Sequence, residues 1–296
     1  MTIRTMPSNS SRDPLVTIVM PVYNGARYLD GAIRSVLQQE YCEWELICVD
    51  DGSTDGSDAI IVGHAVADSR IRHLSNGRNL GLPASLNRGF AEARGKLHSW
   101  TSDDNILRPN MLAELVERLE RDPDIGVVYA GYSVIDDAEN ILRYIPPRPM
   151  EDRWYGNPVG AAFLYRQDVT EKLGGYDETL FGAEDYDYWM RAAHHFQMKP
   201  VDTDLYLYRR HERSLTDQRS EEIRKLVSSV LVRELEHVDD KALRAKALVQ
   251  RILSNWYHFD VNLLGKAFAY HPATVLKASP QLTVDLARAI WHRIGR

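Results

Sequence analysis

The feature that most constrains this chain is a pair of short apolar runs set one helix apart. VTIVMPV (residues 16–22) and ELICVD (residues 45–50) are rich in β-branched side chains and too short for core helices. Neither alternates apolar with polar, so both read as strands buried on two faces. Between them, residues 26–39 carry Leu29, Ile33, Val36 and Leu37 at helical spacing, which makes a β-α-β unit. The alternation continues. A turn-rich DDGSTDGS leads into a second helix, residues 71–74 read as a third strand, and residues 83–94 place Leu86, Phe90 and Ala93 at helical intervals before a strand at 97–100. Strands alternating with helices predict an α/β fold with a mostly parallel, Rossmann-like sheet flanked by helices. Ligands in such sheets collect beyond the carboxyl ends of the strands.

Further along, residues 110–121 form an amphipathic helix stopped by Asp122-Pro123, and residues 125–132 an apolar strand. Pro146, Pro147, Pro149 and Pro158 then interrupt the pattern. A strand is expected at 159–165, a short helix closed by Gly174-Gly175, a helix at 185–194 and an alternating strand at 201–208. From Ser220 the chain reads as helical to its end, with breaks near Gly265, Pro272 and Pro280. The expected organisation is a disordered segment at 1–14, a catalytic domain at 15–218 and a C-terminal helical region at 219–296.

Bulk properties exclude several classes. A formal net charge of -6 argues against a general nucleic-acid binder, which carries a basic excess. The two cysteines, Cys42 and Cys48, with Cys48 inside an apolar run, argue against a disulfide framework or a cysteine zinc site and favour a reducing cytosol. MTIRTMPSNSSRDP lacks the apolar region of a secretory signal, and no stretch reaches the roughly 18 apolar residues of a membrane span. A soluble or peripheral cytoplasmic protein is expected.

Four clusters can carry chemistry. Asp50-Asp51-Gly52-Ser53-Thr54-Asp55 follows a strand, where a carboxylate can accept from a base N–H or ribose hydroxyls; a turn capped by Asx and Ser side chains is the plainer reading. Asp103-Asp104 also follows a strand, and hard oxygen ligands there suit Mg2+ or Mn2+ beside a diphosphate, against a merely solvated acidic loop. In Glu184-Asp185-Tyr186-Asp187, Asp185 is placed to take a proton from an acceptor hydroxyl. The alternative is a helix first turn favouring acids, with Asp187 and Arg191 as a surface i,i+4 pair. The helix dipole lowers a carboxylate's pKa, so a base at Asp185 needs burial and a neighbouring carboxylate to compensate. Lastly, Arg209-Arg210-His211-Glu212-Arg213 offers a nitrogen ligand and arginines to clamp phosphate, although a lone loop histidine is more often solvated.

Taken in order, these segments resemble glycosyltransferase family 2, inverting enzymes with the nucleotide-binding fold called GT-A, over about residues 16–216. TIVMPVYN is similar to the family's opening strand, which implies donor contacts at Pro21 and a base-stacking Tyr23; VDDGSTD implies a base contact at Asp51. NLGLPASLNRGFAEARGKL resembles the next family stretch and brings Arg78 and Asn87 to the donor site. TSDDN falls on the metal motif, implying Asp104 as ligand with Asp103 at the ribose or metal edge. GGYDETLFGAEDYDYWMR implies Asp185 as base supported by Glu184, and LYRRHERS implies His211 as the residue completing a Mn2+ or Mg2+ site. Thr101 stands where the commonest metal motif has a further aspartate, although some UDP-dependent members carry a similar TDDN. The Q-x-x-R-W motif and membrane helices of processive synthases are missing, which favours addition of one or a few sugars.

The resemblance implies a nucleotide diphosphate sugar donor, UDP-linked by preference, and a glycan or lipid-linked glycan acceptor in cell-surface polysaccharide synthesis. Residues 261–296 carry a net +4 against -10 for the remainder. Leu282, Leu286, Ile290 and Ile294 form a helical stripe, with Trp291, Arg288, Arg293 and Arg296 around it, that suits the inner face of the cytoplasmic membrane; packing on the catalytic domain or in a homodimer is the alternative. A dinucleotide-dependent oxidoreductase would need G-x-G-x-x-G where this chain has PVYNGA. A non-catalytic nucleotide-sugar-binding protein is the stronger rival.

Overall fold

A computed structural model describes residues 15–211, 219–254 and 259–294, the last six as backbone only. The expected disordered segment at 1–14, together with Glu212, Arg213 and Arg296, lies outside the described residues. The first half alternates as the periodicity predicts: β1 (Val16–Val22), α1 (Leu29–Leu37), β2 (Trp44–Asp50), α2 (Ser57–Ala67), β3 (Ile71–Ser75), α3 (Leu82–Ala91) and β4 (Leu97–Trp100). These four strands pair in parallel in the order β3-β2-β1-β4.

The second half adds β5 (Ile106–Leu107), α4 (Met111–Arg121), β6 (Ile125–Ile135), β7 (Ile141–Ile145), β8 (Ala162–Arg166), α5 (Gln167–Leu173), α6 (Glu184–Ala192) and β9 (Gln197–Arg209). Here pairing is mixed. β8 runs antiparallel to β4 and β6, β7 antiparallel to β6, and β5 antiparallel to β9, while β6 and β9 are parallel. Together the described strands make one nine-stranded sheet.

The continuous apolar runs are explained by cover on both faces. Val16, Ile18, Met20 and Val22 point into a core with Leu29, Ile33 and Val36 of α1, whereas Val19, Ile47 and Val49 join Leu86 of α3 and Trp189 of α6 on the other side. Register fixes where the loops emerge. Val22 lies opposite Asp50 and Val19 opposite Trp100, so the segments starting at Tyr23, Asp51 and Thr101 leave the sheet at one end. Both cysteines are free: Cys42 is exposed just before β2, and Cys48 is buried within it, where burial pushes its thiol pKa up.

The chain divides into two compact units, residues 1–150 with 159–218, and 151–158 with 219–296. The second contains α7 (Ser220–Leu235), α8 (Lys241–Leu253), α9 (Val261–Tyr270) and α10 (Pro272–Ile294). Asp240 caps α8 through the Ala242 and Leu243 N–H groups, and Asp260 caps α9 through those of Asn262 and Leu263. α10 packs on α8 and α9 with Val275 and Leu282 buried. The predicted stripe is thus split, Leu282 facing inward and Leu286 exposed, while the side chains of Ile290 and Ile294 lie outside the described set. Among the described residues no helix is long and apolar enough to cross a membrane.

Candidate active site

The loops after β1 and β2 are sewn together by the short polar side chains of the DDGSTDGS turn. Ser53 Oγ accepts from Asn24 N at 3.0 Å, Ser57 Oγ from Gly25 N at 3.0 Å, and Asp55 Oδ2 from Ala26 N at 3.0 Å. In return Asn24 Oδ1 accepts from Thr54 N at 2.8 Å. Pro21 is tolerated inside a central strand for a simple reason. The Val19 carbonyl bonds Thr101 N, so Pro21 faces the same side two residues on, where β4 has already ended. Tyr23 follows, 51% exposed.

Asp51 is buried, and its carboxylate is the keystone of the next loop. Oδ1 accepts from Asn76 Nδ2 at 2.8 Å and Leu80 N at 2.8 Å; Oδ2 accepts from Gly81 N at 2.9 Å. Gly52, at φ +79°, lets the Arg78 backbone approach where a Cβ would stand 2.7 Å from it. Arg78 itself is exposed. Asn87, expected at the donor site, instead docks the segment after α5: its Oδ1 accepts from Tyr176 N at 2.7 Å and its Nδ2 donates to Tyr176 O at 2.9 Å and Glu178 Oε1 at 3.1 Å. The side-chain amide is consumed by this tether.

The TSDDN segment, expected to hold a metal, sits at the end of β4. Thr101 is buried and its hydroxyl meets that of Tyr206 on β9 at 2.7 Å, so this position turns inward. Asp103 swings back toward β1, accepting from Tyr23 N at 3.3 Å. A Cβ on Gly25 would stand 2.1 Å from Asp103 Oδ2, so only glycine admits that carboxylate. Burial, then the charge of Asp104, pushes Asp103 up to about 7. Asp104 Oδ2 lies 3.1 Å from His211 Nε2; burial raises its pKa and the imidazole opposes that rise.

Arg209, in the segment whose arginines were expected to clamp phosphate, buttresses this meeting. It is 4% exposed, with Nε donating to Asp104 O at 2.9 Å, one terminal nitrogen to the Asp136 and Asp137 carbonyls and the other to Glu139 Oε1 at 2.8 Å. Its own N–H bonds Asn105 Oδ1 at 2.7 Å. A guanidinium spent on carbonyls cannot clamp a ligand. The ring of Tyr28 lies under Arg209 and beside His211, with centroids 5.1 Å apart, and its hydroxyl donates to Asp137 at 2.7 Å. The signal was present only as a tyrosine and an arginine far apart in sequence. Among the described residues no group of three or more His, Cys, Asp or Glu side chains is gathered for a metal ion. Oxygen from Asp104 and nitrogen from His211 nevertheless form a donor set that suits Mn2+, with phosphate oxygens able to complete it.

α6 begins at Glu184. The segment before it is pinned by Asn87 and by Phe181, whose ring lies 3.4 Å from the position of a Cβ on Gly81, the residue that Asp51 holds. Glu184 is buried and its Oε2 accepts from Gly182 N; burial, then the charge of Asp185, pushes it up to about 8. Asp185 is half-buried and its Oδ1 accepts from Tyr186 N at 2.6 Å. Asp187 and Arg191 do pair, at 2.8 Å, but not on the surface: Asp187 is 1% exposed, and Arg191 also donates to the Leu173 and Gly175 carbonyls.

Residues 17–174, more than half of the chain, match the family profile described as "Glycosyl transferase family 2". The chain belongs to this family. It is 33% identical over 201 residues to an uncharacterized glycosyltransferase of Rickettsia conorii, a match covering 64% of this chain and 32% of that protein. A Methanocaldococcus jannaschii uncharacterized glycosyltransferase is 30% identical over 66% of this chain and 71% of its own length. Across the Rickettsia relatives the match spans between 27% and 58% of the relative's length. Among solved structures, S. aureus TarS 1–349 in complex with UDP-GlcNAc superposes with a TM-score of 0.69 at 17% identity, covering 94% of this chain and 88% of that 1–349 fragment. The Pyrobaculum calidifontis mannosyltransferase PcManGT in complex with GDP-Man and Mn2+ gives 0.59 at 21%, covering 97% and 79%. These likenesses establish the GT-A type fold, with C-terminal helices included in the aligned length.

Proposed function

We propose that this chain is an inverting glycosyltransferase that moves a sugar from a nucleotide diphosphate donor, UDP-linked by preference, to a hydroxyl of a glycan or lipid-linked glycan acceptor in cell-surface polysaccharide synthesis. The observation that carries the reading is the meeting of Asp104 and His211, from segments 107 residues apart, at the carboxyl end of the parallel strands. Tyr23 offers a ring for the base, Asp51 Oδ2 keeps a lone pair for a base N–H, and Asp103 lies at the ribose edge, its position set by Gly25. Exposed Arg78 can reach the same edge. Mn2+ or Mg2+, when held by Asp104 and His211, supplies positive charge for the diphosphate.

Asp185 accepts the proton of the acceptor hydroxyl, and direct displacement inverts the anomeric centre. Glu184 supports it. Burial and the adjacent charge of Asp185 push Glu184 up to about 8, so of the two carboxyls the less buried Asp185 is the one that takes the proton. The relatives named with UDP-GlcNAc and with GDP-Man and Mn2+ support a nucleotide-sugar donor and a divalent cation. Two free cysteines fit a reducing cytosol.

A thermal-shift screen of nucleotide diphosphate sugars with Mn2+, followed by assay of the best donor for transfer and slow hydrolysis, tests the proposal. Stabilisation with turnover is expected. Stabilisation with neither transfer nor hydrolysis would establish the rival, a non-catalytic nucleotide-sugar-binding protein.

A further inference from the structure

The longest tail helix turns an apolar face to solvent, and it is not the predicted one. On α10, Leu276 is 63% exposed and Val284 44%, with exposed Ala273, Pro280 and Ala287 beside them. At about 100° per residue these five side chains fall within roughly a 90° arc. Val275, Leu282 and Asp285 are buried on the far side. Lys277 and Arg288, both exposed, border the apolar arc along one edge.

Backbone polarity on this face is also covered. Pro280 cannot donate to the Leu276 carbonyl one turn earlier, and the Ser279 hydroxyl donates to it instead at 2.8 Å. A bare acceptor would oppose entry into an apolar medium; this one is satisfied. Charge selects the medium. Residues 261–296 carry a net +4, so a negative surface attracts this helical tail.

We propose that α10 lies along an anionic phospholipid surface, with Ala273, Leu276, Pro280, Val284 and Ala287 entering the acyl boundary and Lys277 and Arg288 at the level of the phosphates. This attachment is separable from the donor chemistry, since none of these residues belongs to the candidate active site.

The test is co-sedimentation of the full chain with phosphatidylcholine vesicles, with and without phosphatidylglycerol, for wild type, Leu276→Asp/Val284→Asp and Lys277→Glu/Arg288→Glu. Circular dichroism confirms that each variant keeps its fold. Wild type should bind only the vesicles containing phosphatidylglycerol, less so at high salt, and each double variant should lose about tenfold or more in partition. Transfer to a soluble acceptor should be unchanged. Equal binding to both vesicle types, wild-type binding by either variant, or a sedimenting dimer that Leu276→Asp/Val284→Asp dissociates would each overturn the proposal, the last by making a second copy the occupant.

Discussion

The turn after β2 and the acidic doublets at 103–104 and 184–185 are equally rich in carboxylates, yet they are bonded in opposite ways. Asp51 receives three N–H donors, and Asp55 receives two backbone N–H groups and the Ser57 hydroxyl. Burial works against ionisation of Asp55, but the bonds from Ser57 and Ala26 outweigh it and hold its carboxyl below the usual range. Asp103 and Glu184 are driven upward instead, by burial and then by a neighbouring carboxylate. Asp55, filled with donors, holds its loop in shape, and Asp51 does the same while keeping one lone pair on Oδ2. Carboxyls crowded against one another in a buried site retain capacity for a cation or a proton.

The sharpest way to break this contrast is Asp185→Asn. Transfer should fall about a thousandfold, within the usual range for loss of a general base, while donor binding measured by calorimetry stays intact. Wild-type turnover in that variant would sink the base assignment. Asp104→Ala should weaken nucleotide binding about tenfold or more when Mn2+ is present and abolish the difference between titrations with and without the cation. Unchanged Mn2+ dependence would remove Asp104 from the cation site. Asp55→Ala should act on the fold alone, costing about 0.5–1.5 kcal/mol in urea unfolding because the Ala26 and Ser57 donors lose their acceptor. A stable Asp55→Ala protein with normal unfolding would show that the turn does not depend on it.

The smallest effect is a pH slope. Glu184 has a folded pKa near 8, above the usual glutamate value of about 4.3, so its contribution to stability is full below about pH 4 and is lost as pH rises through 8. Glu184→Gln mimics the neutral carboxyl. Thermal unfolding across that window should show wild type losing stability with rising pH and the variant losing less. Parallel curves would mean that Glu184 is not held neutral.

Legibility followed the range of the forces involved. β1 was visible residue for residue because a strand covered on both faces must be apolar throughout, and the motif order placed Asp51, Asp104 and His211 where loops converge. Pairing between distant strands leaves no period, so the antiparallel partners of β8 and the short β5 were not read from the sequence. β7 was missed because all five of its residues lack burial, leaving no alternation to see. Asn87 and Arg209 share one difficulty: their chemistry is generic, and only the backbone groups facing them show the internal tethers that they make. The stripe on α10 illustrates the same limit, since a helical wheel shows which residues share a face but not which face the neighbouring helices cover.

The unequal exposure of the two cysteines carries a practical consequence. A thiol-directed dye will find Cys42, at the amino edge of β2, and pass over Cys48, which is sealed inside the sheet and resists ionisation. The reporter would stand at the end of the sheet opposite the loops proposed to bind the donor. Energy transfer from that point to a fluorescent nucleotide would therefore report nucleotide binding without an engineered label site and without a probe intruding on the proposed chemistry.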